Sequence, residues 1–190
     1  MSNGGPNLGT GRHLVVRRRC PGDLPVLLGL LQRVHEEEGY PVQASAVRAG
    51  WLASPGELDA AVAVDDGRVV GHVALHPAGR DDVAAVDQWQ RATGRAPEHL
   101  AVVSRLFTDR SRPGSGTALL THAVRRAVEL DRVAVLLVDP HSPARGFYSR
   151  RGWHEVGTAV QRWGHRTVAA ALMVPATAVA SPDPCAGRSG

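Results

Sequence analysis

The sequence predicts an α+β fold: a mixed, mostly antiparallel sheet with one parallel strand pair at its centre, flanked by helices. Three observations carry this. Two apolar runs, Leu58–Val64 and Val69–Leu75, are joined across Asp65-Asp66-Gly67-Arg68, an Asp-Gly hairpin signal. Next, Leu100–Thr108, Gly116–Leu130 and Val133–Val138 read as strand, helix and strand, a crossover that demands parallel pairing. Last, Val156–Arg162 and Thr167–Val174 read as a second hairpin.

His13–Arg17 is expected as a short first strand. Asp23 can cap a helix whose apolar positions Leu24, Leu27, Leu28, Leu31 and Val34 follow a 3.6-residue period. Pro25 falls in its first turn, where proline is tolerated, and Gly39 ends it. Ser45–Ala53 is a shorter second helix, while Asp81–Thr93 fits either a helix or an irregular insertion. Leu120, Ala123, Ala127 and Leu130 make the apolar stripe of the crossover helix. The run VAVLLV (Val133–Val138) is apolar throughout, as a strand covered on both faces would be. Ser142-Pro143 places a capping hydroxyl before a proline at the first helical position, and that helix stops at Gly152. The expected order is β-α-α-β-β-β-α-β-α-β-β.

A chain of 190 residues, 43% apolar, favours one globular domain, expected over residues 13–175 between a disordered leader (1–12) and a disordered tail (176–190). Cys20 and Cys185 lie near opposite ends with no metal-ligand spacing around them, so neither a disulfide framework nor a metal site is expected. Residues 1–11 lack the apolar core of a signal peptide. The apolar segment 168–180 is too short to span a membrane, which takes about 20 residues. A cytoplasmic protein without membrane contact is expected. All 22 basic residues are arginine, and the absence of lysine excludes Schiff-base chemistry and a P-loop lysine. Only Arg17-Arg18-Arg19 cluster, without interleaved aromatics, so no nucleic-acid partner is expected.

The stretch Arg110–Leu120, RSRPGSGTALL, joins a strand to a helix. Backbone N–H groups at a helix N-terminus attract anions, and Gly114 and Gly116 permit close approach and positive φ. Arg110 and Arg112 add charge suited to a pyrophosphate. Taken alone, the pattern fits an anion cradle and a plain strand-to-helix turn equally well. A dinucleotide fingerprint fails, because Leu119 stands where its third glycine belongs.

From Ala101 to Trp153 the chain resembles the GCN5-related N-acetyltransferase (GNAT) family. The carrying stretches are VVSRLFT, RPGSGTALLTHAVRRA and VLLVDPHSPARGFYSRRGW. Ala144, Phe147, Tyr148, Gly152 and Trp153 match the family pattern A-x-x-F/L-Y-x-x-x-G-F/W at every spacing. The resemblance implies the acyl-CoA N-acyltransferase fold, whose central parallel strands splay to admit acetyl-CoA as acyl donor. It implies that the backbone of Leu106, Phe107 and Thr108 meets the pantetheine arm. Gly114, Ser115, Gly116 and Thr117 would then hold the pyrophosphate, with Ser111, Arg112, His141, Ala144 and Phe147 completing the cofactor site. Ser111 stands at the family's Gln/Arg position, Pro113 lacks an N–H, and His141 stands where asparagine is common.

Acyl transfer to an amine needs a neutral amine, a polarised carbonyl, a stabilised oxyanion and a protonated leaving thiolate. Tyr148 matches the family tyrosine that serves as general acid toward the sulfur. Candidate bases are His72, Glu98, Asp109 and Ser104 through water; His72 fits equally a buried sheet histidine. Glu36, Glu37 and Glu38 crowd a helix C-terminus, where the dipole disfavours anions; the run fits a solvated helix end, or an acceptor pocket with Tyr40 and Trp51 in which one carboxylate receives a cationic amine.

The expected activity is direct transfer of an acetyl group from acetyl-CoA to the amine of a small molecule, peptide or protein, in a ternary complex. Two alternatives share the fold: another acyl-CoA or a different chemistry, and a non-catalytic module binding an acyl-CoA or a small molecule. A homodimer is compatible with the sequence.

Overall fold

The computed structural model describes residues 13–79, 83–163 and 165–179. Within them β1 (Leu14–Arg18), β2 (Asp59–Asp65), β3 (Arg68–Pro77) and β4 (Leu100–Thr108) pair antiparallel, each with the next. β5 (Val133–Val138) lies parallel to β4, and the hairpin of β6 (Trp153–Trp163) and β7 (Arg166–Pro175) completes the order β1-β2-β3-β4-β5-β7-β6. The helices are α1 (Leu24–Glu38), α2 (Ala49–Leu52), α3 (Val83–Thr93), α4 (Ser115–Glu129) and α5 (Pro143–Ser149). The expected leader and residues 180–190 of the expected tail lie outside the described residues; Ala176–Ala178 forms one 3-10 turn.

Local chemistry accounts for most boundaries. α1 buries Leu27, Leu30, Leu31 and Val34, one stripe of a 3.6-residue period, and ends on Gly39 at φ 68, whose N–H donates to the His35 carbonyl. Asp23 does not cap α1 as expected. Its carboxylate accepts from both Arg17 Nη atoms (2.7 and 2.8 Å) and from the Cys20 N–H (2.7 Å), stronger charge-assisted partners than a helix amide. The expected Ser45–Ala53 helix divides into a 3-10 turn (Ala44–Ala46) and α2, because Arg48 between them is extended at φ −153. The β2–β3 turn has φ 47 at Asp66 and φ 78 at Gly67, the two left-handed residues of a tight hairpin. Ser142 accepts from the Ala144 N–H and caps α5.

α4 covers one face of the sheet with Leu119, Leu120, Ala123 and Ala127, against Ala61, Val73, Ala101 and Val103. On the other face α1 packs over Val62 and Phe107, and α3 sets the fully buried Trp89 over Leu100, Val102, Leu172 and Val174. For residues 83–93 of the ambiguous segment the structure is a helix, and 81–82 lie outside the described residues.

The feature that shapes the functional region is where pairing stops. β4 and β5 match only at Leu100–Val102 with Val133–Val135. Beyond that, β5 pairs with β7 through Leu136–Val138, while β4 continues along β3 to Thr108. The parallel pair therefore splays. β4 also carries a bulge: His72 faces Phe107 and Ala74 faces Ser104, so Arg105 and Leu106 together oppose Val73. Arg105 sits at φ 52, a left-handed conformation that costs a non-glycine residue about 1–3 kcal/mol.

Gly71 lies under the end of β4. A Cβ there would meet Thr108 Cγ2 at 2.8 Å, Leu119 Cδ1 at 2.9 Å and the Phe107 carbonyl oxygen at 3.0 Å. Gly71→Ala should therefore destabilise the fold by about 1–3 kcal/mol, read as a lower midpoint in chemical denaturation at unchanged slope.

Candidate active site

The β4–α4 connection is a tied loop. The Asp109 carboxylate accepts from the Ser111 N–H (2.9 Å) and Oγ–H (2.6 Å), bonds that hold its pKa below the usual carboxylate value. Ser115 Oγ donates to the Arg112 carbonyl at 2.7 Å. Gly114, at φ 92, turns the chain into α4, where the first intrahelical bond runs from the Ala118 N–H to the Gly114 carbonyl. The amides of Gly116 and Thr117 precede that bond and face the helix end, the arrangement that favours an anion. A Cβ on Gly116 would lie 3.3 Å from the Phe147 ring, so glycine here lets α5 pack closely against the start of α4.

The arginines of this loop do not crown it as expected. Arg112 pairs with the buried Asp65 at 3.0 Å, and Arg110 pairs with Glu38 at the end of α1. Ser111 spends its hydroxyl on Asp109, and His141 is exposed. The charge at the α4 N-terminus comes from Arg151, which the sequence reading missed. Its Nε and Nη2 donate to Thr117 Oγ1 (2.9 and 2.6 Å), Nη1 donates to the Phe147 carbonyl, and its guanidinium stacks 3.7 Å above the Phe147 ring.

Tyr148 packs edge-on to Phe147 and against Trp153. Burial pushes its pKa up to about 12, and its hydroxyl makes no hydrogen bond among the described residues. The Tyr40 hydroxyl faces the Arg105 backbone amide and feels the Tyr148 hydroxyl; burial raises its pKa as well. Tyr40 also meets Trp51 edge-on, so two expected acceptor residues are brought together.

A polar cluster fills the sheet face beneath α1 and α2. Glu57 lies at its centre, paired with Arg19 Nη2 (2.7 Å) and Arg105 Nη1 (2.9 Å) and capped by the Ser54 N–H (3.1 Å). Arg19 Nη1 donates to the Leu52 carbonyl and to His72 Nε2 (3.0 Å), which leaves His72 Nδ1–H to donate to the Arg105 carbonyl at 3.1 Å. Arg105 Nη1 likewise reaches His76 Nε2 (2.8 Å), so His76 Nδ1–H donates to Ser104 Oγ at 2.8 Å. Both histidines are held neutral. Burial first, then the neighbouring arginines, lowers each pKa to about 4.

These contacts reassign the expected bases. His72 is fully buried with both ring nitrogens engaged, the structural role that the sequence left open. Glu98 is exposed in the turn before β4, about 20 Å of extended strand from Leu106. The Glu36–Glu38 run is exposed, and each member has its own surroundings: Glu36 accepts from Gln32, Glu37 lines a cavity of about 200 Å³ with Arg33 and Asp109, and Glu38 pairs with Arg110. Phe107 turns its ring into the core beside His72, so only its backbone borders the gap; Leu106, Thr108, Ala144 and Phe147 are half-buried. Glu57, His76 and Arg105 were missed. Arg105 had a signal, a charge inside the apolar run VVSRLF, and His76 repeats the face of His72 two residues beyond Ala74.

A mostly antiparallel sheet with a splayed parallel pair, a glycine-capped helix at its mouth and a tyrosine across it define an acyltransferase class of fold. The Acetyltransferase (GNAT) family profile matches residues 27–153, and the chain belongs to that family. Among solved structures it is similar to FeeM, an N-acyl amino acid synthase from uncultured soil microbes (TM-score 0.63, 18% identity, 88% of this chain and 93% of that chain). It is also similar to Arabidopsis thaliana NAA60 in complex with acetyl-CoA (0.62, 19%, 85% and 98%). A third is a probable acetyltransferase from Staphylococcus epidermidis (0.61, 14%, 85% and 98%). No curated protein matches the sequence significantly. Among the described residues no helix is long and apolar enough to cross a membrane.

The neutral histidines give stability a pH dependence. The unfolded chain protonates near the ordinary value of 6.5, whereas His72 in the fold waits until about 4. Protons therefore bind the unfolded state first. Stability is full above pH 6.5 and should fall by roughly 2–3 kcal/mol per fully buried histidine as pH drops toward 4. Denaturant midpoints between pH 7.5 and 4.5 measure this, and His72→Gln should flatten the slope.

Proposed function

We propose that the protein transfers an acetyl group from acetyl-CoA to the amine of a small molecule or peptide, directly within a ternary complex. The observation that carries this reading is the end of β4–β5 pairing at Val102 and Val135, between the glycine-capped end of α4 and Tyr148. The Gly116 and Thr117 amides, with Arg151 beside them, suit a pyrophosphate. Acetyl-CoA supplies the activated acyl carbon. The amine nitrogen forms the new C–N bond as the C–S bond breaks, and the amine's proton ends on sulfur.

Tyr148 acts here as a hydrogen-bond donor toward the developing thiolate. With a pKa near 12 it stays protonated, and full transfer to an ordinary thiol of pKa about 8.5 would be uphill by roughly 3.5 units. The sulfur's proton therefore originates with the amine. No histidine in the cluster can remove it: a base of pKa about 4 does not deprotonate an alkylammonium. The acceptor must reach the carbonyl as the free amine or lose its proton through water.

Titration calorimetry with acetyl-CoA tests the donor. Binding should be measurable at micromolar concentrations, and Arg151→Ala should weaken it about 10–100-fold, the worth of one charge-assisted bond. Tyr148→Phe should bind equally well but turn over about 10–100-fold more slowly; unchanged turnover would remove the tyrosine from the chemistry. The profile of kcat/KM for the acceptor should rise with pH along the amine's own ionisation. An ascending limb with its midpoint between pH 4 and 6.5 would instead assign the proton to a histidine.

A further inference from the structure

Resting on the acetyl-transfer reading, we propose that the acceptor is an amine bearing a carboxylate, of the amino-acid type, and that Arg105 is the residue that selects it. Arg105 is held by only one end of its guanidinium. Nη1 contacts Ser54 Oγ, Glu57 Oε1 and His76 Nε2 at 2.8–2.9 Å, and the plane lies 5.1 Å from the centroid of the Trp51 ring. Nε and Nη2 make no hydrogen bond among the described residues. They are not sealed in the core either: the buried, unpartnered side-chain polar atoms among the described residues are Asp65 Oδ1 and Trp89 Nε1. A guanidinium with one edge anchored and another open presents the planar two-donor fork that a carboxylate fills bidentately.

Position and charge agree with this. The bulge puts Arg105 on the same sheet face as Ser104, beside Tyr40 and Trp51 and at the strand segment that has lost its β5 partner. With His72 and His76 neutral, the cluster holds two arginines against one carboxylate, a net single positive charge on side chains only 11–14% exposed. That field repels a polyamine and attracts an anionic group. One face of Trp51 is already occupied by Arg105.

The test uses matched triplets: leucine, leucinamide and isoamylamine, with the phenylalanine and glutamate series beside them. In at least one series the free amino acid should exceed its carboxamide and decarboxylated amine at least tenfold in kcat/KM. Arg105→Lys, which keeps the charge but not the fork, should lose most of that margin through KM, and Arg105→Gln should abolish it. Circular dichroism and melting curves identify a variant that fails to fold, in which case the wild-type triplets decide. Equal or better turnover of the amides and plain amines overturns the proposal while leaving acetyl transfer intact. If no amine turns over and acetyl-CoA does not bind, the acetyl-transfer reading fails. The fork is then judged by thermal shift with N-acetylleucine against N-acetylleucinamide: selective stabilisation by the carboxylate supports it, and equal shifts or none overturn it.

Discussion

The strand β4 serves two neighbours and cannot satisfy both along its length. It pairs with β5 for three residues and then follows β3, and the bulge at Arg105 turns its remaining edge away from the parallel partner. Unpaired strand backbone is ordinarily a liability, because each N–H and C=O left without a partner seeks one. Here it borders the splay of the parallel pair, in a region where α4 and Tyr148 of α5 share one apolar cluster. The same kink places two successive side chains, Ser104 and Arg105, on one face, where a regular strand would alternate them. One irregularity thus accompanies the splay of the parallel pair and gathers the polar cluster on one sheet face.

The fold was legible because its signals are local. Alternation, the Asp-Gly turn, the Ser-Pro cap and the apolar run Val133–Val138 each encode an element within a few residues. β4 and β5 have their observed bounds as read, and Gly39 stops α1 with positive φ, whereas α5 ends at Ser149, short of the expected stop at Gly152. Asp23 misled for a physical reason: capping preference assumes a carboxylate without competitors, and Arg17, six residues away, competes for it. The site was legible only in part. Tyr148 and the glycines carry spacing that a sequence displays, but Glu57, Arg105 and His76 converge from α2–β2, β4 and β3, and no window of sequence contains them together. Arg151 is similar, since its partner Thr117 lies on another helix.

Arginine without lysine has structural consequences at this site. Arg105, Arg112 and Arg151 are each held by identifiable contacts: Arg105 by Glu57 and Trp51, Arg112 by Asp65, Arg151 by Thr117 and Phe147. A lysine could match the charge of any of them but not the stacked plane or the two-edged donor pattern. The loop's own arginines are consumed in tying it to α1 and to β2, which leaves the charge at the α4 N-terminus to Arg151, just beyond α5.

The cluster around Glu57 also constrains how the protein can change. Two arginines and a carboxylate taken largely out of water are tolerated because each pairs closely, and removing one partner strands the others' charge at a cost of about 3–5 kcal/mol. The histidines extend the arrangement by accepting from the arginines, which they do only while neutral. Acidification would set protonated imidazole against guanidinium 2.8–3.0 Å away. Stability of the sheet face and the net charge of the cluster therefore depend on the same few protons. Substitutions that retune Arg105 act on both at once, and a compensating change at Glu57 is the shortest route to separate them.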